Sequence, residues 1–132
     1  MSSDDNIALY RRFIDEVDRP ETVDELLAAG IELPTLEPNA EPTAAGLKQL
    51  RQAFLTGFPD LRASFDEVFA AGDWVAARLT WTGTNTGELF GQPPTGRPMS
   101  ITELEIVRFH NGRIVDLRNA FDGETLAAQL TS

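Results

Sequence analysis

Apolar residues recur along this chain with two periods, and the change between them falls after Asp60. Before it the spacing is helical. Ile7, Tyr10, Ile14 and Val17 form one stripe, which Leu9 and Phe13 widen. Ser3 is the expected N-cap of this first helix, with Asp4 and Asp5 in its opening turn. Arg19-Pro20 interrupts the stripe. Thr22 and Glu25 then make a capping-box pattern ahead of Val23, Leu26 and Leu27, and Gly30 is a natural stop. Residues 31–42 hold three prolines, which predicts a loop or irregular strand. Thr43 caps a third helix with the stripe Leu47, Leu50, Phe54 and Leu55, and Gly57-Phe58-Pro59-Asp60 ends it.

Beyond Asp60 apolar and polar residues alternate, as in strands with one buried face. Leu61, Ala63, Phe65, Glu67 and Phe69 share a face of the first strand, and Ala71-Gly72-Asp73 turns the chain. A second strand over 74–85 carries Val75, Ala77, Leu79 and Trp81 on one side. A Gly/Pro-rich loop follows over 86–98. Strands over 99–110 and 113–121 are joined by Asn111-Gly112, a pair suited to the positive φ angles of a type I′ turn. The inward face of this hairpin carries Met99, Ile101, Glu103, Glu105, Val107 and Phe109, then Val115, Leu117, Asn119 and Phe121. Residues 125–130 form a short closing helix. Helices followed by consecutive strands predict an α+β fold, with helices on one face of an antiparallel sheet. A sheet curved strongly over those helices encloses a pocket of a kind that suits small molecules. With no repeat or linker in sight, residues 1–132 read as one domain.

Composition narrows the partners. The formal net charge of −10, from 11 Lys+Arg against 21 Asp+Glu, argues against nucleic acid or an anionic membrane. The absence of cysteine excludes disulfides, thiol catalysis and thiolate metal sites. The acidic N-terminus, Met-Ser-Ser-Asp-Asp, lacks an apolar signal core, and no run approaches the roughly 20 apolar residues of a membrane span. The expectation is a cytoplasmic protein.

The candidate chemistry lies where the hairpin's apolar face is broken. A carboxylate on such a face is expensive unless it is paired, hydrogen-bonded or protonated. Glu105 is the leading acid/base candidate, since desolvation raises a carboxyl pKa toward the working range. The bland alternative is an ion pair with an arginine such as Arg78 or Arg118, or a place at a dimer edge. Asn119 is either a hydrogen-bond donor to a substrate carbonyl or enolate, or a satisfied buried amide. Asp122, ending the last strand, is either a proton shuttle at the pocket mouth or the cap of the closing helix. Asn85 either touches substrate or makes a turn. Arg118 has the parity that faces away from the pocket, unless a bulge intervenes. Trp81, Phe58, Phe65, Phe69, Phe109 and Phe121 are candidate walls for flat rings, and core packing accounts for most of them. Glu103 and Glu67 share the apolar parity but are expected near strand ends, within reach of water. His110, the sole histidine, abuts the hairpin turn and is expected at the surface. Neither a metal-ligand cluster nor a Ser-His-Asp or phosphate-loop motif is present.

In order along the chain come Phe58-Pro59-Asp60, Ala71-Gly72-Asp73, Thr82-Gly83-Thr84-Asn85-Thr86-Gly87, Gly91-Gln92-Pro93-Pro94-Thr95-Gly96, Arg108-Phe109-His110-Asn111-Gly112-Arg113-Ile114 and Gln129-Leu130. With these segments the chain resembles the SnoaL-like polyketide cyclases, or ester-cyclase group, of the NTF2-like superfamily. The resemblance implies a cone-shaped barrel, a curved antiparallel sheet wrapped over N-terminal helices, usually paired into a homodimer through the sheets. It implies intramolecular aldol ring closure on a polyketide ester, without metal or cofactor, with an acidic pocket side chain moving protons. The aspartate usually given that role matches Asn119 here, a pocket histidine matches Glu105, and the histidine of the Thr-Gly-Thr-His-Thr-Gly pattern is Asn85. Arg118 and Asp122 match residues common in the family. An amide does not titrate near neutral pH, so Asn119 cannot be the base.

The resulting expectation is a cofactor-free enzyme acting on a small apolar or aromatic, polyketide-like substrate. Glu105 moves the proton, Asn119 and Asn85 bind oxygen, and aromatic walls exclude water. Two alternatives stand beside it: a cofactor-independent hydroxylase or an epoxide hydrolase of the same fold, and a non-catalytic ligand-binding dimeric module.

Overall fold

The computed structural model of the chain describes residues 2–36 and 40–131. Its first part holds three helices, α1 (Ser3–Asp15), α2 (Pro20–Leu26) and α3 (Ala44–Gly57). Ser2, one residue earlier than the pattern suggests, caps α1, and its hydroxyl accepts from the Asp5 N–H in a reciprocal capping box. α2 starts at Pro20, whose missing N–H is no loss in a first turn. The Thr22–Glu25 capping box does not form. Thr22 lies inside the helix, and its hydroxyl donates instead to Glu16 Oε1 (2.6 Å). Thr43 caps α3 as expected, accepting from Gly46 N–H at 3.1 Å. The segment between α2 and α3 is irregular where it is described, anchored by buried Leu33 and Leu36. The middle of the proline-rich stretch, 37–39, lies outside the described residues.

The second part is one antiparallel sheet in the order β1-β2-β3-β4, formed by β1 (Arg62–Ala71), β2 (Trp74–Thr84), β3 (Pro98–His110) and β4 (Arg113–Phe121). α4 (Gly123–Thr131) closes the chain against β3. In the turn between β3 and β4, Asn111 and Gly112 have φ of 50° and 77°, as a type I′ turn requires. Strict alternation holds along β3, where Met99, Ile101, Glu103, Glu105, Val107 and Phe109 are all buried.

Two register shifts break the alternation elsewhere. In β1 the shift lies between Phe65 and Glu67, leaving Asp66 unpaired. Beyond it Val68 and Ala70 face the core, while Glu67 and Phe69 turn outward, against the expected parity. In β4 the shift follows the Arg108–Asp116 pair, so Phe109 faces Ile114 and Val115 is the extra residue. Ile114 is therefore buried, and Val115 is exposed rather than inward. A single inserted residue reverses every side chain after it, and local composition does not announce one. Leu117, Asn119 and Phe121 keep the expected face.

The helices cover the inner face of this curved sheet. Tyr10, Phe13, Ile14, Val23 and Leu26 meet Val75, Leu79, Val107 and Phe109 in one core. The architecture is the α+β cone expected from the sequence. No described helix is long and apolar enough to cross a membrane.

Candidate active site

The helices do not fill the cone. A cavity of about 200 Å³ remains between α1, α3 and the inner faces of β2, β3 and β4. Most of its wall is apolar, supplied by Phe13, Ile14, Leu47, Leu50, Phe54, Trp81, Ile101, Leu117 and Phe121. The polar lining groups are Glu103, Glu105, Asn119, Arg51 and Thr35.

Sheet geometry brings donors to the two carboxyls. Glu103 and Glu105 are two residues apart on β3 and so share a face. Trp81 pairs in register with Ile101, and Asn119 with Glu105. Each is thus a diagonal neighbour of Glu103, on opposite flanking strands. Trp81 Nε1 donates to Glu103 Oε1 and Asn119 Nδ2 to Glu103 Oε2, both at 2.9 Å. From α1, the Tyr10 hydroxyl donates to Glu105 Oε1 at 2.9 Å. Asn119 is itself held by Thr35, whose hydroxyl donates to Asn119 Oδ1 (2.8 Å) and accepts from Asn119 N–H (2.9 Å).

Burial sets the protonation of the pair. Glu105 and Glu103 are 6% and 8% exposed. Desolvation pushes the Glu105 carboxyl well above the usual range, and the charge of Glu103 pushes it further. Burial also raises Glu103, but the hydrogen bonds from Trp81 and Asn119 act against the rise. The pair therefore favours a proton on Glu105 and the charge on Glu103. The Tyr10 phenol is raised by burial and by Glu105, so it stays protonated and serves as a donor. Burial lowers the Arg51 guanidinium, while the neighbouring carboxyl pair, Glu105 and Glu103, holds it up.

Of the residues singled out from the sequence, Glu105, Asn119, Trp81 and Phe121 meet at this cavity. Glu103 joins them as a buried wall group, not a strand-end carboxylate in reach of water. The others lie elsewhere. Asn85 is 1% exposed, and its side chain ties a loop together. Its Nδ2 donates to Gly57 O and Gly87 O, and its Oδ1 accepts from Thr95 N–H and hydroxyl. Phe58 and Phe109 are core residues. Arg118 faces outward and pairs with Asp116, while Arg78 pairs with Glu67, so neither neutralises Glu105. Asp122 is exposed and caps α4, accepting from Thr125 N–H at 3.0 Å and Thr125 hydroxyl at 2.6 Å, which holds its carboxyl below the usual range. His110 lies at the surface.

Tyr10, Thr35 and Arg51 are site residues that the sequence reading did not place there. The signal for Arg51 is legible afterwards: it falls four residues after Leu47 and breaks the apolar stripe of α3, as Glu105 breaks the face of β3. Tyr10 has no such signal, because its ring fits an apolar stripe and only its hydroxyl matters. Among the described residues, no group of three or more His, Cys, Asp or Glu is placed to hold a metal ion.

The site is thus a pair of buried carboxyls on the wall of an apolar cavity, inside a cone-shaped α+β domain. The family model described as SnoaL-like polyketide cyclase matches residues 7–130, and the chain belongs to that family. Aklanonic acid methyl ester cyclase DnrD of Streptomyces peucetius is 31% identical, across 86% of this chain and 81% of the relative. Among solved structures, IdmH of Streptomyces antibioticus, a proposed polyketide cyclase, is 32% identical with a TM-score of 0.77, covering 100% of both chains. AclR of Streptomyces galilaeus, a proposed hydroxylase, is 27% identical with a TM-score of 0.84, covering 98% of this chain and 82% of its own.

Proposed function

We propose that this protein is a cofactor-free enzyme closing a ring on a polyketide-like ester by intramolecular aldol addition. The observation that carries this reading is the pair of buried carboxyls on the wall of an apolar cavity, Glu103 receiving hydrogen bonds from Trp81 and Asn119 and Glu105 one from Tyr10. Environments that push two carboxyls apart in pKa separate an acid from a base. The Glu103 carboxylate takes a proton from the carbon between two carbonyls. The electron pair left on that carbon attacks a second carbonyl of the same molecule and forms the ring bond. Glu105 gives its proton to the resulting alkoxide. Transfer of the proton from Glu103 to Glu105 restores the pair, and the product is an isomer of the substrate. Asn119, in the position that matches the family's aspartate, has no titrating group; it holds the Glu103 carboxylate in place. Trp81, Phe54 and Phe121 exclude water, which strengthens each of these interactions.

Aklanonic acid methyl ester and nogalonic acid methyl ester, for which two relatives are named, are the first substrates to try. The wild type is expected to convert one of them. Glu105→Gln, which keeps the shape and removes the titrating group, is expected to lose about a hundredfold or more in rate. Unchanged activity in that variant refutes the role of Glu105. Oxygen uptake in step with turnover points to hydroxylation instead, and tight binding without conversion points to a binding module. We also propose that two copies pair through the outer face of the sheet. A chain without cysteine suits the reducing cytoplasm, where we place it.

A further inference from the structure

Arg51 has a different environment from the cations that make ion pairs. Arg12, Lys48, Arg78, Arg108 and Arg118 each reach a carboxylate at or near the surface. Arg51 instead lines the cavity, with its guanidinium carbon 4.3 Å from the centre of the Phe13 ring. Its Nη1 is shut off from solvent and has no hydrogen-bond partner among the described residues. The carboxyls nearby do not supply one: Glu103 is engaged by Trp81 and Asn119, and Glu105 by Tyr10. An unused donor on a buried cation is costly, and such a group persists where something satisfies it in the working state.

We propose that Arg51 binds a substrate oxygen, and that this oxygen is the one that becomes negative when the carbon acid ionises. The ligand is then a 1,3-dicarbonyl, a β-diketone or β-keto ester, and Arg51 is a catalytic residue holding its enolate. This rests on the proposed proton transfer to the carboxyl pair. Charge accounts for the arrangement. Before transfer the site holds one cation on Arg51 and one anion on Glu103. In the transfer the substrate C–H bond breaks, an O–H bond forms on Glu103, and the electron pair spreads onto the substrate oxygen. The anion has moved, and Arg51 remains its counter-ion throughout. A fixed donor aimed at developing charge in a dry site gives more in that state than in the neutral one.

Benzoylacetone is a suitable probe, because it is a flat aromatic 1,3-dicarbonyl whose enolate and neutral enol absorb differently. It is titrated by difference absorbance, near neutral pH where the free probe is un-ionised, against the full chain and its variants. The wild type is expected to bind it with the enolate band present. Arg51→Leu and Arg51→Gln are expected to lower the bound enolate fraction about tenfold or more, the worth of a charge-assisted hydrogen bond. Arg51→Lys restores part of the band. Glu105→Gln keeps it, since the Glu105 carboxyl is already protonated. A thermal melt of each variant reports folding, and the glutamine variant decides if the leucine variant does not fold. Binding of the neutral form only by the wild type, no binding at all, or an unchanged band in both Arg51→Leu and Arg51→Gln overturns the assignment. A missing band with ring closure intact sinks the Arg51 assignment alone. An intact band with no ring closure of any ester tried sinks the proposed function alone.

Discussion

At the scale of single residues, Glu105 ties the site to the stability of the whole chain. Its folded-state pKa is raised, so between the ordinary glutamate value and that raised value the folded protein binds more protons than the unfolded one. Stability then falls as pH rises through this window. The slope is about 1.4 kcal/mol for each pH unit in which the folded carboxyl stays protonated and the unfolded one does not. Urea unfolding of the wild type at about pH 5 and about pH 8 should show the loss, and Glu105→Gln should show a smaller one. Asp122 has the opposite sign. Its carboxyl is lowered by Thr125, so its contribution is present above the ordinary aspartate range and is lost as pH falls through the folded value. Asp122→Ala should lower the melting temperature at neutral pH and leave ring closure unchanged, which would assign the residue to capping rather than to proton transfer. Asn119→Asp takes a donor from Glu103 and sets a third carboxyl beside the pair. Like charge raises the carboxyls further. The acid limb of the kcat/KM profile should therefore move to higher pH, where the wild type is already at its plateau.

At the scale of elements, what the sequence made legible follows from which patterns are local. β3 is readable because its alternation runs unbroken from Met99 to Phe109, and the Asn111-Gly112 turn fixes its partner. Glu103 and Glu105 stand out for the same reason. The bulges at Asp66 and Val115 are not readable, because each depends on how one strand meets another. Hence alternation alone puts Phe69 and Val115 inside, and the structure has them outside. The helical side of the site was hidden in another way. Tyr10 belongs to the stripe of α1 and Arg51 interrupts that of α3, and their polar ends matter only once those helices cover the sheet. Asn85 shows the converse, a buried polar side chain whose every hydrogen bond serves a loop. In Asn85→Ala the carbonyls of Gly57 and Gly87 and the N–H of Thr95 each lose a partner. A loss of about 2 kcal/mol or more in urea unfolding is expected, with ring closure kept in whatever remains folded.

At the scale of the whole molecule, the outer face of the sheet is the surface on which the proposed pairing rests. The register aligns Phe69, Ala76, Ile106 and Arg118 in one row across the four strands, with Glu67, Arg78, Leu104 and Ala120 beside it. Phe69, Leu104 and Ile106 are 59%, 52% and 48% exposed, so an apolar centre lies open between charged flanks. That layout suits a two-fold contact in which each copy covers the other's centre and ion pairs ring the edge. Two chains of formal charge −10 repel one another, and added salt screens the repulsion while leaving apolar burial intact. Sedimentation should therefore find a dimer that tightens as salt is raised. Ile106→Asp puts a charge in the apolar centre that the proposed pairing covers, and should yield a monomer. The Ile106 side chain points away from the cavity, so ring closure per chain should survive in that monomer. A wild type that sediments as a monomer at high salt would refute the pairing, and loss of activity in a folded Ile106→Asp monomer would show that the cavity needs the second copy to keep its shape.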